Sequence, residues 1–412
     1  MTEFALAPIF DAIAAQVPER ECIVQGARRL HYGEVRDRVA RLASWFSAQG
    51  LGKVRELAEL SNWESGQDMA AIYLHNCPEY LESMLACFRA IAAAGVDRVM
   101  PLAPLMHGAA HWVAQRALYR GETVVLDEHT TRFDAHRALA IAERERVQAL
   151  LIVGDAFGRP LADALASGRH QLPELIGIIS GGAPLCTDTK RILLERLPSR
   201  WIIDAIGSSE SGHQALHISA GTHVHTGRFT PTPTTQVLSA DRTRVLGPGD
   251  PELGWLAQAG RVPLGYLDDR EKTRVTFPVI AGVRWAVPGD RAYVRAGGEI
   301  EVVGRDSVTI NSGGEKIFVE EVEEVLKRHP AVYDVLVCGR PSARWGQEVC
   351  AVVQLRAAAE VSESELVAHA ARQLARYKLP RAIVFCERLE RSPSGKPDYA
   401  WARAQLTGDT KS

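Results

Sequence analysis

Three short segments combine glycine with oxygen-bearing side chains in a way that suits a phosphate-containing ligand. Ser180-Gly181-Gly182-Ala183-Pro184-Leu185 follows an apolar run, and its paired glycines let main chain approach a flat ligand closely. Ile206-Gly207-Ser208-Ser209-Glu210-Ser211-Gly212 mixes hydroxyls with a single carboxylate, Glu210. That mixture suits magnesium beside phosphate, because Mg2+ takes oxygen ligands and usually only one or two protein carboxylates. Gly289-Asp290 offers a carboxylate that could accept from two ribose hydroxyls, and Arg391-Ser392-Pro393-Ser394-Gly395-Lys396 offers a cation on a flexible loop. Taken singly, these segments read equally well as a tight turn, polar caps and a solvated lysine. Lysine is scarce, however: it occurs at eight positions, while arginine supplies the other forty of the 48 basic residues.

The elements around these segments alternate. Short apolar runs at Arg98–Leu102, Thr123–Leu126, Ala149–Val153, Ile176–Ile179 and Trp201–Ile206 are separated by helical patterns at His107–Arg120, Phe133–Val147, Arg159–Ser167 and Thr187–Leu197. Such βαβα alternation predicts a mostly parallel sheet with helices on both faces, with ligands at the carboxyl ends of the strands. Amphipathic helices are expected at 4–18 and 33–49, a buried strand at Ala71–Leu74, and a helix from Pro78 to about Ala94. From 214 to about 303 turn-rich sequence implies antiparallel strands, with Val283–Val287 strand-like before Gly289. Beyond Gly304-Arg305 the pattern is a strand, a Ser312-Gly313-Gly314 turn, an acidic helix Val319–Lys327, strands Tyr333–Cys338 and Val349–Gln354, a Ser362-capped helix to about Ala375, strand Ile383–Cys386 and a C-terminal loop. The expected fold class is α/β, with a large N-terminal domain over 1–303 and a smaller α+β domain over 304–412.

Composition sets outer limits. The chain has 412 residues, 46% hydrophobic and 24% charged, enough for two or three domains and no disordered or fibrous class. A formal charge of −2 gives no reason to expect nucleic acid as partner, and no apolar stretch approaches the ~20 residues of a membrane span. Seven scattered cysteines without a Cys-x-x-Cys pair fit a reducing compartment, so a cytoplasmic location is expected.

Together, and in this order, the segments resemble the adenylate-forming enzymes, and within them the acyl-CoA synthetases or fatty-acid–CoA ligases, from Phe4 to Arg403. The matching stretches are MPLAPLMHG (100–108), SGGAPL (180–185), IGSSE (206–210), GRVPLGY (260–266), VPGD (287–290), GRDSVTINSGGEKIFVEEVEE (304–324), YKLPR (377–381) and RSPSGKPD (391–398). The resemblance implies attack of a carboxylate on the α-phosphorus of ATP, giving acyl-AMP and pyrophosphate, followed by displacement of AMP by the coenzyme A thiolate. It also implies roles. Gly181, Gly182, Ala183 and Pro184 would line the adenine, Ser209 would touch the α-phosphate and Glu210 would hold Mg2+, with Ser180, Gly207 and Ser208 also among the nucleotide-binding residues. Asp290, helped by Arg305, would bind the ribose. Lys396 would reach the carboxylate and α-phosphate, and His107 would stand at the mouth of the acyl pocket. Gly313, Gly314 and Lys316 would face the site for the thioester step, after the small domain turns about a hinge near 304–308, with Asp306 and Val308 both open as pivot.

One family element is missing. A Ser/Thr/Gly-rich loop ending in Pro-Lys-Gly, which wraps the β- and γ-phosphates, belongs between the Pro78 helix and the Pro101 loop, yet no lysine occurs between Lys53 and Lys190. The chain reads as internally shortened at about Gly95–Asp97. The expected activity is ATP-dependent ligation of a fatty or other lipophilic acid to coenzyme A, impaired by that loss, with a non-catalytic AMP or acyl-adenylate binder as the alternative. A homo-oligomer is left open. A serine hydrolase using Ser209 with His107 or His213 is the remote alternative, since no Gly-x-Ser-x-Gly elbow is present.

Overall fold

A computed structural model of the protein describes residues 7–49, 98–129, 133–392 and 395–407. The expected strand at 71–74, the helix from Pro78 and the break at 95–97 lie outside the described residues.

The described residues of the large domain build one sheet of 13 strands. Its parallel part runs, in spatial order, Trp201–Ser208, Gly177–Gly181, Ala149–Ile152, Arg98–Pro101, Thr123–Leu126 and Glu21–Gln25, with Arg28–His31 antiparallel at the edge. Thr123–Leu126 and Ala149–Ile152 are buried along their whole length, as expected of parallel strands covered on both faces by helices. Leading helices include Ala7–Gln16, Tyr32–Ala48, Gly108–Leu118, Ala135–Arg144 and Thr187–Arg196, and Asp134 caps the fourth by accepting from the amide of Arg137. The antiparallel part continues from Trp201–Ser208 through Gly212–Ala220, Arg228–Pro231, Ile300–Arg305, Asp290–Val294, Gly254–Gln258 and Thr235–Leu238.

Within the parallel part, Arg98–Pro101 gains Thr123–Leu126 on one side, and the chain then crosses to add Ala149–Ile152 on the other. Strand order reverses there, and such a reversal opens a crevice at the carboxyl ends of the two strands. The loop that carries His107 follows one of them and Gly154 follows the other.

The last strand of the large sheet ends at Arg305, a single turn of 3-10 helix covers Asp306–Val308, and a second sheet begins at Ile310. This sheet holds five strands, Ile310–Ser312, Glu315–Ile317, Val332–Ser342, Gly346–Leu355 and Ala382–Cys386. Helices Val319–Lys327 and Glu363–Ala371 pack Val322, Leu326 and Leu366 against one face. Ser362 and Glu365 close a capping box at the start of the second.

Three expectations need correction. The helix expected from Arg159 begins five residues earlier and spans Gly154–Ala166, with Pro160 in its second turn. The strand expected over Val283–Val287 is only the hairpin pair Val279–Ile280 and Val283–Arg284, and Asp290 opens a strand instead of following one. The expected C-terminal loop contains a helix, Tyr399–Thr407, started by Asp398, whose side chain accepts from the amides of Ala400 and Trp401.

Candidate active site

Ser180 and Gly181 finish their strand, and the loop after them is fastened to the start of helix Gly154–Ala166. The Ser180 hydroxyl accepts from the Gly154 amide at 3.3 Å, and the Asp155 amide donates to the Pro184 carbonyl at 3.1 Å. The Asp155 carboxylate in turn accepts from the Cys186 amide at 3.1 Å. Gly154 has φ +55°, and a Cβ there would meet the Pro184 oxygen at 2.3 Å, so only glycine permits this approach. Gly182 is turned outward at φ +86°. Ser180 therefore holds the loop with its hydroxyl and leaves Gly182 to Pro184 to face a ligand.

The IGSSES segment is the tip of a hairpin between Trp201–Ser208 and Gly212–Ala220. The Ser208 hydroxyl accepts from the amides of Glu210 and Ser211 at 3.2 Å, and the Ser211 hydroxyl accepts from the Ser208 amide at 3.1 Å. Ser208 thus shapes the turn, Gly207 fits under the Gly212 carbonyl, and Ser209 stands exposed at the tip. Tyr266 donates its hydroxyl to Glu210 Oε1 at 2.6 Å. Burial pushes the Glu210 carboxyl up, but Tyr266 and Ser208 outweigh it and hold it below its ordinary range, so it is ionised at neutral pH.

Beside it, Asp290 Oδ1 lies 3.5 Å from Arg305 Nε. Burial pushes Asp290 up, the charge of Glu210 adds to that, and Arg305 opposes it. Glu320 accepts the Arg305 amide at 3.2 Å on Oε1, while its buried Oε2, packed against Gly304, has no hydrogen-bond partner among the described residues. Its pKa is pushed up to about 7, chiefly by burial, with Asp290 adding. Asp290 beside the Arg305 guanidinium remains an acceptor that could take ribose hydroxyls as donors. No group of three or more His, Cys, Asp or Glu able to hold a metal occurs among the described residues, so Mg2+ at Glu210 would take its other ligands from phosphate and water.

Lys396 closes the crevice from the small domain. Its loop is internally tied: the Ser392 amide donates to the Lys396 carbonyl at 3.0 Å, the Gly395 amide to Ser392 at 2.8 Å, and Arg391 Nη1 to the Gly395 carbonyl at 3.2 Å. Gly395 sits so close to Phe157 that a Cβ would meet the ring at 2.8 Å, while a Cβ on Gly182 would lie 3.8 Å from Lys396 Cε. His107 has a buried Nε2 without a hydrogen-bond partner among the described residues, and burial, then the charge of Lys396, lower its pKa. His107 is therefore neutral at neutral pH, facing a cation at the reversal of the sheet.

The structure thus gathers Gly182, Lys396 and His107, and separately Glu210, Asp290 and Arg305, which Glu210 links through its effect on Asp290. Gly313 and Lys316 are engaged elsewhere, and Gly314 borders open space: the Gly313 amide donates to the Trp345 carbonyl at 2.8 Å, and Lys316 Nζ lies 3.2 Å from Asp306. Among the described residues no hydrogen bond joins Ser209 to a histidine. Sequence reasoning missed Glu320, Tyr266, Asp155 and Arg391 as site-forming groups. All but Asp155 lie inside stretches that had been matched, so position within those motifs was the available signal.

The sequence pattern of the AMP-binding enzyme family matches residues 10–96 and 91–267, and that of the AMP-binding enzyme C-terminal domain matches 321–396. The chain belongs to the AMP-binding enzyme family. It is 37% identical over 541 aligned residues, 98% of each chain, to the medium-chain acyl-CoA ligase Mig of Mycobacterium avium. It is 42% identical over 308 residues to a medium/long-chain-fatty-acid–CoA/3-oxocholest-4-en-26-oate–CoA ligase of Mycobacterium tuberculosis H37Rv, a stretch covering 74% of this chain and 56% of that protein. Among solved structures, a benzoate CoA ligase from Burkholderia xenovorans LB400 superposes with TM-score 0.75 at 19% identity, covering 97% of this chain and 100% of that one. The ATP-bound RpMatB-BxBclM chimera does so with TM-score 0.76 at 19% identity, covering 98% and 100%. These likenesses establish the fold. By family and relatives the chain is an acid–CoA ligase, and acyl-CoA ligases of this family use ATP, Mg2+ and coenzyme A. No helix among the described residues is long and apolar enough to cross a membrane.

Proposed function

We propose that this chain activates a medium- or long-chain lipophilic carboxylate as acyl-AMP and transfers it to coenzyme A in the cytoplasm. The observation that carries the reading is the position of Lys396, on the small domain yet beside Gly182 and His107 at the carboxyl edge of the parallel sheet. In the first step a carboxylate oxygen bonds to the α-phosphorus while the bond to the pyrophosphate oxygen breaks. Lys396 supplies positive charge where that crowded anion forms. Gly182 to Pro184 line the adenine, Ser209 meets the α-phosphate, and Asp290 with Arg305 and Glu320 orients the ribose. Mg2+, held through Glu210, would neutralise phosphate charge. Neutral His107 borders the acyl chain.

In the second step the thiolate sulfur bonds to the acyl carbon and AMP leaves. Domains 1–303 and 304–412, hinged at 306–308, would exchange Lys396 for the Gly313-Gly314-Lys316 turn. Release of Lys316 from Asp306 would accompany that turn.

The chain also reads as a shortened ligase. Its alignment with Mig spans 541 positions against its own 412 residues, and the family pattern matches in two stretches that overlap at 91–96, which supports a deletion of the phosphate loop near there. The same deletion favours a second reading, a binder of AMP or acyl-adenylate that does not form it. Carboxylate-dependent ATP–pyrophosphate exchange separates the two: label enters ATP with a ligase and does not with a binder. A homo-oligomer remains compatible with both.

A further inference from the structure

Between the two domains lies a buried chain of charges that none of the roles above uses. Asp155, in the first turn of helix Gly154–Ala166, lies 3.1 Å from Lys327 Nζ through Oδ2. Lys327 also lies 3.4 Å from Asp334 Oδ1, and Asp334 Oδ2 accepts from Arg391 Nε and Nη2 at 2.9 and 2.6 Å. Arg391 then donates from Nη1 to the Gly395 carbonyl, one residue before Lys396. Asp155, Lys327 and Asp334 are all buried, at 3%, 8% and 7% exposure, so water does not loosen the chain. Arg159 adds to it from the same helix, donating to the carbonyls of Val332, Tyr333 and Lys327. The buried Glu323 also bears on Lys327 and Arg391.

The other oxygen of Asp155 accepts the Cys186 amide, and its own amide holds Pro184. One carboxylate therefore fastens both jaws of the crevice: the loop of Gly182 directly, and the loop of Lys396 through Lys327, Asp334 and Arg391. We infer that Asp155 is a positioning residue for the first half-reaction, setting the approach of Lys396 to Gly182. This rests on the proposed role of Lys396. Misplacement of a reacting group by about 1 Å can cost on the order of 10²-fold in rate.

The test is Asp155→Asn, alone and with Lys396→Ala. The expected result is a loss of at least about tenfold in ATP–pyrophosphate exchange, conversion of supplied acyl-AMP to acyl-CoA within about twofold of the parent, and no further loss in exchange when Lys396 is already alanine. Equal loss in both half-reactions, or additive loss in the Lys396→Ala background, overturns the inference. Hydrogen exchange gives a readout free of catalysis: the amides of Gly395 and Lys396 should exchange faster in Asp155→Asn while Trp201–Ser208 stays unchanged, and unchanged loop amides would overturn it. If the parent chain shows no exchange of label, the reading of Lys396 fails, while the amide measurement still decides whether Asp155 holds the loop. Should Asp155→Asn fail to fold, Asp155→Asn with Lys327→Met removes both charges of the pair and must give the same pattern.

Discussion

The Tyr266 hydroxyl lies 2.6 Å from Glu210 Oε1, joining the GRVPLGY stretch to the single acid of the hairpin tip. A hydrogen bond to a charged group contributes about 1.5–3 kcal/mol. Removing it leaves burial to dominate Glu210 and raises its pKa. Tyr266→Phe should therefore weaken Mg2+-dependent ATP binding by about tenfold, more severely at pH 5 than at pH 7. Calorimetric titration with and without Mg2+ checks this; binding that keeps its metal dependence at both pH values would return Glu210 to a purely structural part.

Nucleotide preference follows from which contacts the chain retains. On the proposed roles the chain keeps residues for adenine, ribose and α-phosphate, whereas no lysine between Lys53 and Lys190 can serve a β/γ-phosphate loop. AMP should bind at least as tightly as ATP. Calorimetry giving ATP a Kd more than about tenfold lower would mean another segment grips the outer phosphates.

Stability should fall as pH rises from neutral to mildly alkaline. Burial pushes Glu323 from its ordinary 4.5 up to about 8 and Glu320 up to about 7. Both are raised in the folded chain, so their contribution is full below about pH 4.5 and is lost as pH rises through 7 to 8. The depressed Asp155 and Asp334 act the other way, but only as pH falls below the ordinary aspartate range. His107, His111, His213, His217 and His329, held below their ordinary 6.5 chiefly by burial, oppose that loss until pH passes about 6.5. The Tm should therefore decline between about pH 7 and pH 8, and Glu323→Gln should flatten that decline. Parallel profiles for variant and parent would show that Glu323 titrates normally.

Much of the scaffold was legible because its signals are local. Thr123–Leu126 is a run of β-prone residues, and Val319–Lys327 carries acids at its start and a lysine at its end, so both elements lie where expected. Helix Gly154–Ala166 was misjudged at its start because Gly154, Gly158 and Pro160 argue against a helix, while the need for Gly154 comes from the Pro184 carbonyl across the loop. The helix Tyr399–Thr407 had a local signal, Asp398 as cap, that went unread. The residues proposed to face the nucleotide were named through motif order. The groups that aim them were not, because Asp155 and Lys327 are 172 residues apart in sequence and meet only after the domains pack.

The central claim is that Lys396 acts in the formation of acyl-AMP on this chain, and the most direct measurement is single-turnover detection of acyl-AMP from ATP and a medium- or long-chain acid. The parent chain should accumulate acyl-AMP, Lys396→Ala should form it ~10²-fold more slowly or worse, and both should convert supplied acyl-AMP to acyl-CoA at comparable rates. Absence of acyl-AMP from the parent, or equal impairment of both half-reactions in the variant, would contradict the account.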